Sequence, residues 1–172
     1  MFIFTLLTYT MYLVIFNIFE SIMELMEILA SRIARLRKKK WYSQETFAKI
    51  TWFNRAYISP MEKWKINLTL KSIEKIVNGL GVKPKELFDF EKNIQDINLG
   101  AHKTNNIIAK FSRKLVDIRY EFLLSQEELA KQSRISRAYM WNIERWETNT
   151  TLWTIEQIAD TLGLEIKDFF ER

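Results

Sequence analysis

The chain has 172 residues, a net charge of +5 and a hydrophobic fraction of 48%, which is enough apolar material for one mid-sized core or two small ones. It contains no cysteine and one histidine, which excludes a disulfide framework, a thiolate metal site and a histidine zinc cluster. None of its four glycines stands in a phosphate-binding glycine motif, so we expect no nucleotide or other cofactor.

The first 25 residues form an apolar N-terminal segment, in which residues 1–19 carry no charge over a length close to a bilayer span. The segment lacks the basic start of a secretory signal. Three interpretations stay open: a translation start assigned upstream of Met23 or Met26, a membrane anchor, and an apolar helix that covers the core or mediates dimerisation. With an anchor, the basic run at 32–40 would keep the rest of the chain in the cytoplasm, which is the compartment we expect.

A stretch of sequence is repeated within the chain. Residues 54–64 (NRAYISPMEKW) return as residues 136–146 (SRAYMWNIERW), so that Arg137 follows Arg55 by 82 residues. The same offset holds without a gap over most of the two flanking regions. Self-similarity at one fixed spacing indicates two copies of one folding unit.

The predicted fold is all-α, with two tandem five-helix units and no competing strand pattern. We define unit one as residues 26–90 and unit two as residues 106–172. Residues 91–105 have mixed charge and several Asn residues, so we predict a linker there. His102 lies in this linker, and we assign no role to it.

Signals for the start and end of helices recur at the same offset in both units. N-capping residues precede the predicted second, third and fourth helices: Ser43 and Ser125, Asn54 and Ser136, and Thr69 and Thr151. Gly81 and Gly163 stand where the fourth helix should end in the left-handed conformation. The second and third helices are separated by a turn of about four residues, an arrangement that makes a helix-turn-helix whose third helix can enter the DNA major groove.

The third helix of unit two has an apolar face and an opposite polar stripe. The stripe contains Arg137, Ala138, Trp141, Asn142 and Arg145. Arginine can donate two hydrogen bonds to guanine, and asparagine can pair in a bidentate way with adenine. The stripe is therefore suited to reading a DNA sequence.

Both units resemble the lambda-repressor-like (Xre) helix-turn-helix family, whose motif stands here as SQEELAKQSRISRAYMWNIE and, more loosely, as SQETFAKITWFNRAYISPME. The Arg-Ala-Tyr start of the third helix, followed by TLWTIEQIA, is similar to the controller proteins of restriction-modification systems. The resemblance implies a sequence-specific transcriptional regulator that binds double-stranded DNA and has no enzymatic activity.

The resemblance also implies roles for single residues. It implies base contacts from the head of each third helix, Arg55 with Ala56 and Arg137 with Ala138, and the outward stripe predicts further base contacts at Trp141, Asn142 and, in unit one, Ser59. It implies phosphate contacts from Gln44 and Gln126 and from Asn67 and Asn149. Their charge predicts further phosphate contacts for Lys38, Lys39, Lys40, Lys63 and Arg145. Two structural ion pairs join the end of the first helix to the third helix, Arg37 with Glu62 and Arg119 with Glu144.

Two features depart from the family pattern. Trp64 and Trp146 stand where the family usually has glycine, although tryptophan resists positive φ. Each tryptophan either packs over the core edge or between units, or contacts DNA sugar and phosphate. Pro60 replaces the base-reading Asn142 in unit one, where it removes a helical hydrogen bond and crowds the preceding turn.

Charge differs between the two halves of the chain. Residues 31–90 contain 14 Lys or Arg against 5 Asp or Glu, whereas residues 101–172 contain 11 of each. We therefore hypothesise that unit one supplies phosphate affinity and unit two supplies base discrimination. The alternative is that Pro60 marks a degenerate unit retained for packing or dimerisation.

The state of the chain on DNA stays open at this level. Two units on one chain could act as a covalent pseudo-dimer on adjacent half-sites, or a homodimer could present four third helices. The competing function is a protein-interaction module, such as an antitoxin or a phage accessory factor. Salt-dependent DNA affinity separates the two functions.

Overall fold

The structure is a computed structural model that describes the backbone of residues 2–100 and 102–171 and the side chains of residues 20, 22–100 and 102–171. The first half contains α1 (Phe2–Lys39), α2 (Gln44–Thr51), α3 (Arg55–Glu62), α4 (Leu70–Leu80) and α5 (Pro84–Phe88). The second half contains α6 (Ile107–Glu121), α7 (Gln126–Gln132), α8 (Arg137–Glu144) and α9 (Leu152–Leu162). The described residues form helices and no strand, which confirms the predicted all-α class.

Two short 3₁₀ helices complete the chain. Ile166–Phe170 occupies the place of the last helix predicted for unit two, and Ile94–Asp96 lies in the predicted linker. The helices start where the capping residues predict. Ser43, Asn54, Thr69, Ser125, Ser136 and Thr151 each accept a hydrogen bond from a backbone N–H of the first helical turn.

The two fourth helices end at glycine, as predicted. Gly81 has φ of 69° and Gly163 has φ of 64°, both in the left-handed region. Gly81 is also required by space, because a Cβ atom at this position would lie 1.9 Å from the carbonyl oxygen of Gly100. The end of α4 therefore closes against the segment that leads to unit two.

The buried side chains of both halves belong to one contiguous apolar core. Phe88 at the end of α5 stacks on Phe170, with ring centroids 5.3 Å apart and planes inclined by 10°. Within unit two, Phe111 of α6 packs on Phe169 with ring centroids 5.3 Å apart. The contact between Phe88 and Phe170 and the common core show that the two units share apolar surface.

The backbone also joins the two units, between residues 67–71 and residues 149–153. We call these two stretches the pairing segments. The Leu70 N–H donates to the Thr150 carbonyl at 3.0 Å, and the Leu152 N–H donates to the Leu68 carbonyl at 2.7 Å. Each bond is the counterpart of the other at the 82-residue offset. The contact is therefore made by the same surface of each unit.

Asparagine side chains add to this contact. Asn149 Oδ1 accepts from the Lys71 N–H at 2.9 Å, and Asn149 Nδ2 donates to Thr69 Oγ1 at 3.1 Å. Asn67 Oδ1 accepts from the Trp153 N–H at 3.3 Å. Each asparagine thus satisfies an N–H in the first turn of the fourth helix of the other unit.

The stretch predicted to be a linker, residues 91–105, is packed on unit one. Lys39 Nζ donates to the carbonyl oxygens of Ile94, Gln95 and Ile97 at 2.8 to 2.9 Å. Asn78 exchanges two hydrogen bonds with the Thr104 backbone, at 2.6 and 2.9 Å. The composition of residues 91–105 predicts a loop, and hydrogen bonds from the charged Lys39 ammonium group hold this loop against unit one.

A buried arginine holds the start of the same segment. The Arg32 guanidinium donates to the carbonyl oxygens of Glu86 and Lys92 at 2.9 and 3.1 Å. Burial lowers the pKa of Arg32. Arg32 therefore stabilises the fold by joining α1 to α5 and to the segment after it.

The predictions for residues 1–25 fall mainly on side chains outside the described residues. No helix among the residues that the structure describes is long and apolar enough to cross a membrane. The start-site, anchor and dimerisation interpretations of residues 1–19 therefore stay predictions. From Ile22 onward the described part of α1 contributes to the core, with Leu29, Ile33 and Leu36 buried.

One acidic residue of α9 makes stability depend on pH. Burial raises the pKa of Glu156 to about 7 from an ordinary value of 4.5, and repulsion by Asp160 adds to the shift. The folded state therefore binds more protons than the unfolded state between these values, so the free energy of unfolding should fall as pH rises from about 4.5 to about 7.

Glu156→Gln should remove this loss. Because Glu156 is only half-buried, we expect a gain of roughly 1–3 kcal/mol in the free energy of unfolding at pH 8 and little change at pH 4.5. Urea unfolding across this pH range measures it, with Glu121→Gln, an exposed position on α6, as the control. An unchanged pH slope in Glu156→Gln would show that Glu156 is not the group responsible.

Candidate nucleic-acid interface

The site consists of α2 with α3 in unit one and of α7 with α8 in unit two. The turns between these helices are short, since α3 begins at Arg55 after α2 ends at Thr51, and α8 begins at Arg137 after α7 ends at Gln132. Both third helices have eight residues. The spacing and lengths are those of a helix-turn-helix.

Pro60 does not break α3, which continues to Glu62. The proline ring is compatible with helical φ, but it removes the bond to the carbonyl four residues earlier, that of the exposed Ala56, and crowds this carbonyl. The difference between α3 and α8 at this position therefore lies in the side chain. A ring without hydrogen-bonding groups stands where unit two has the Asn142 amide.

The outer stripe of α8 is available to a partner. Met140 and Ile143 are buried against the core, whereas Arg137, Ala138, Trp141 and Arg145 are exposed and Asn142 is half-buried. Ser112 Oγ of α6 donates to the Ile143 carbonyl at 2.5 Å and fixes the inner side. The two faces predicted from helical spacing therefore lie as expected.

The charged residues of this stripe have partners on the surface. Arg137 Nη1 lies 3.3 Å from Glu127 Oε2, with both side chains 70% exposed. Arg145 pairs with Glu147 at 2.9 Å, and its guanidinium lies 4.2 Å from the Trp141 ring centroid. Exposed pairs contribute at most about 1 kcal/mol, so both arginines can exchange these carboxylates for phosphate or base edges.

The equivalent stripe of α3 is smaller and less polar. Arg55 and Ala56 are exposed at its head, and Ser59 is half-buried beside Pro60. Lys63, just after the helix, is exposed. Unit one thus offers two cations and a hydroxyl, and it lacks the amide that α8 carries.

Arg37 and Glu62 form a bidentate pair in unit one, with Nε to Oε1 at 2.5 Å and Nη2 to Oε2 at 3.0 Å. Both side chains are at most 8% exposed. Arg37 Nη1 also donates to the Tyr42 carbonyl. The pair joins the end of α1, the turn after it and the end of α3, so it sets the angle of the third helix.

Arg119 and Glu144 repeat this arrangement in unit two, with Nε to Oε1 at 2.7 Å and Nη2 to Oε2 at 3.0 Å. Arg119 Nη1 donates to the Leu124 carbonyl at 3.0 Å. Hydrogen bonds to Glu144 raise the pKa of Arg119 above its ordinary value. The structure thus brings both predicted ion pairs together.

The first residue of the second helix joins each pair, which the sequence reasoning missed. Gln44 Nε2 donates to Glu62 Oε2 at 2.8 Å, and Gln126 Nε2 donates to Glu144 Oε2 at 2.9 Å. A side-chain amide has two N–H groups, so one remains for a phosphate. The recurring distance of 18 residues between glutamine and glutamate was the available signal.

Some side chains predicted to contact phosphate also form hydrogen bonds within the molecule. The Lys39 ammonium group is bound to three carbonyl oxygens of the 91–105 segment, and its phosphate contact stays a prediction. Asn67 and Asn149 cap the fourth helix of the opposite unit. Lys38 is exposed, and Lys40 Nζ lies 5.8 Å from the Tyr42 ring centroid.

Trp64 and Trp146 adopt the positive φ that tryptophan disfavours, 52° and 66°. The Lys65 N–H donates to the Pro60 carbonyl at 2.9 Å, and the Glu147 N–H to the Asn142 carbonyl at 3.0 Å. These bonds close the ends of the third helices and offset the unfavourable backbone conformation. Both helix ends therefore close in the left-handed conformation without glycine.

The side chain of each of these tryptophans is about half exposed, 40% for Trp64 and 47% for Trp146. Arg113 of α6 lies 4.7 Å from the Trp146 ring centroid. This contact lies within unit two, and both interpretations of Trp146 stay predictions. Trp41 and Trp52 also have positive φ and are 94% and 86% exposed.

Comparison with known proteins gives related sequences over roughly one unit. The family model described as Helix-turn-helix matches residues 33–87. Control protein C.BamHI of Bacillus amyloliquefaciens is 39% identical over 69 residues, which are 40% of this chain and 85% of that protein. Control protein C.MunI of Mycoplasma sp is 44% identical over 64 residues, 36% of this chain and 86% of that protein.

A solved structure is also similar. The restriction-modification controller protein C.AhdI from Aeromonas hydrophila has 35% sequence identity to this chain, with a TM-score of 0.36. The match covers 37% of this chain and 96% of the C.AhdI chain.

Arg119→Met should destabilise the protein by about 3–5 kcal/mol, because it leaves the Glu144 carboxylate buried without its partner. Arg119→Met with Glu144→Leu should recover most of the loss, since no charge is then stranded. Chemical denaturation measures both, and Arg145→Met, which breaks an exposed pair, is the control with an expected change below about 1 kcal/mol. Equal losses in Arg119→Met and Arg145→Met would contradict a structural role for the buried pair.

Proposed function

Because this chain belongs to the helix-turn-helix family of DNA-binding transcriptional regulators that includes the restriction-modification controller proteins, we propose that it recognises a specific duplex DNA sequence with α8 in the major groove. The observation that carries the proposal is the exposed stripe of α8 on a helix held by the buried Arg119–Glu144 pair. A reader that is fixed in orientation can discriminate bases, since hydrogen bonds to base edges demand geometry. A protein with this function is expected to work in the cytoplasm.

Each exposed residue of α8 has its own contact with DNA in this proposal. Arg137 at the head of the helix can donate two hydrogen bonds to a guanine, and Asn142 can pair with an adenine. Ala138 and Trp141 offer apolar contact, which suits a thymine methyl group. Arg145 and the second amide N–H of Gln126 bind phosphate in this proposal and set the register.

Unit one contributes affinity more than sequence discrimination in this proposal. Arg55, Ala56 and Ser59 reach the groove, but Pro60 supplies no hydrogen bond. The phosphate contacts come from Lys38, Lys40, Lys63 and Gln44. This set omits Lys39, Asn67 and Asn149, which have partners within the protein.

The test starts with selection of bound sequences from a random duplex pool. On the selected DNA, Arg137→Ala and Asn142→Ala should each lower affinity by about 1–3 kcal/mol, with little effect on scrambled DNA. Lys38→Ala with Lys63→Ala should weaken binding to both DNAs alike and reduce the salt dependence. Lys103→Ala, an exposed cation outside both units, is the control.

Two results would contradict this division. If the α8 variants weaken binding to selected and scrambled DNA equally, α8 does not read bases. If the Lys38 and Lys63 changes act only on the selected DNA, unit one does more than bind phosphate. Fluorescence anisotropy at two salt concentrations resolves both comparisons.

A protein-interaction module is the second candidate, and one observation favours it. Trp41 and Trp52 are almost fully exposed, and tryptophan is enriched at protein–protein interfaces. A regulator should lose DNA affinity steeply as salt rises, whereas an interaction module should bind little DNA even at low salt. The same anisotropy measurement therefore separates the two functions.

A further inference from the structure

The contact between the two units is self-complementary. Leu70 bonds to Thr150 as Leu152 bonds to Leu68, and Phe88 stacks on Phe170, its own counterpart at the 82-residue offset. Contacts of this kind, in which residue i meets j and j meets i, are those of a two-fold symmetric dimer. Here they occur within one chain.

The pairing segments provide bonds that neither unit has alone. The first N–H groups of a helix have no acceptor within that helix. In α4 the Leu70 and Lys71 N–H groups find acceptors in unit two, and in α9 the Leu152 and Trp153 N–H groups find acceptors in unit one. Separation of the units would return all four to water and expose the apolar surface around Phe88 and Phe170.

The α8 reader is connected to this contact. The Tyr139 hydroxyl on α8 lies 3.1 Å from Thr150 Oγ1, and Thr150 is fully buried. The Thr150 carbonyl in turn accepts from Leu70 of unit one. Two hydrogen bonds thus relate the orientation of α8 to unit one. The counterpart of Thr150 is Leu68, which has no hydroxyl group, so this link exists on one side only.

We propose that a single chain is a complete two-fold DNA-reading assembly, which occupies two half-sites without a second copy. The proposal rests on the proposed function and extends it. Asn67, Asn149 and Thr150 are positioning residues that set the distance between α3 and α8, and so the spacing of the half-sites. The operator has two unequal halves, because Asn142 reads one half and Pro60 stands at the equivalent place on the other.

The pairing can be tested without DNA. We expect sedimentation equilibrium of the full chain at micromolar concentration to give the mass of one chain. Hydrogen exchange should show protected amides at Leu70 and Leu152, which in unpaired units would exchange as free first-turn amides do. A dimer mass, or unprotected amides at both positions, would overturn the proposal while leaving DNA binding itself untouched.

The spacing can be tested on the selected DNA. Native mass spectrometry should find one chain per duplex. In a series of duplexes that shifts the half-sites by single base pairs, the wild type should prefer one spacing by at least tenfold. Asn67→Ala with Asn149→Ala should reduce that preference at least threefold, and Thr150→Val should do so to a smaller extent. Asn149→Asp, which keeps the acceptor for Lys71, is the conservative control and should retain most of the preference.

Each result decides a separate point. Two chains per duplex, or a spacing preference that the double asparagine variant leaves unchanged, would overturn the proposal. Because the readout is a ratio of affinities, a general loss of stability would not move it. If the random pool yields no bound sequence at all, the proposed function fails, and the mass and hydrogen-exchange results still report on the pairing.

Discussion

A buried arginine–glutamate pair, present once in each unit, is the interaction on which the site depends. The guanidinium donates to both carboxylate oxygens and to a turn carbonyl, and a glutamine amide takes a further place on the carboxylate. Burial of two charges is tolerated because both ends of the pair have several hydrogen-bond partners: three bonds leave the guanidinium and three reach the carboxylate. One cluster thus fixes the end of the first helix, the start of the second and the angle of the third. In unit two this cluster determines the orientation of the exposed α8 stripe.

Much of the local structure could be predicted because its signals are short in range. A capping residue and the backbone N–H that donates to it lie within three positions of each other. Helical spacing alone predicted that Met140 is buried and Arg137 is exposed. The all-α class and the helix ends followed from such signals. The Arg–Glu partners came from the family motif, since 25 residues separate them along the chain.

What could not be predicted depends on how one part of the chain docks on another. Nothing near Lys39 shows that its ammonium group will bind three carbonyls of a loop more than fifty residues later. From the sequence, Asn149 is an ordinary loop residue. Its role as an acceptor for the Lys71 N–H appears only when α4 is docked beside it. Trp64 and Trp146 show why a residue preference alone can mislead. The left-handed conformation costs a residue other than glycine about 1–2 kcal/mol, and the hydrogen bonds that close a helix end can outweigh this cost.

The pairing of two units within one chain has a consequence for how the sequence can change. In a symmetric homodimer every substitution is made twice, so a change that impairs one recognition helix impairs both. Covalent joining removes that constraint, because each helix has its own codons. Pro60 shows the outcome: α3 carries a residue that would have removed the amide from both halves of a homodimer, while α8 keeps Asn142. The joined chain can therefore specialise one half at a time.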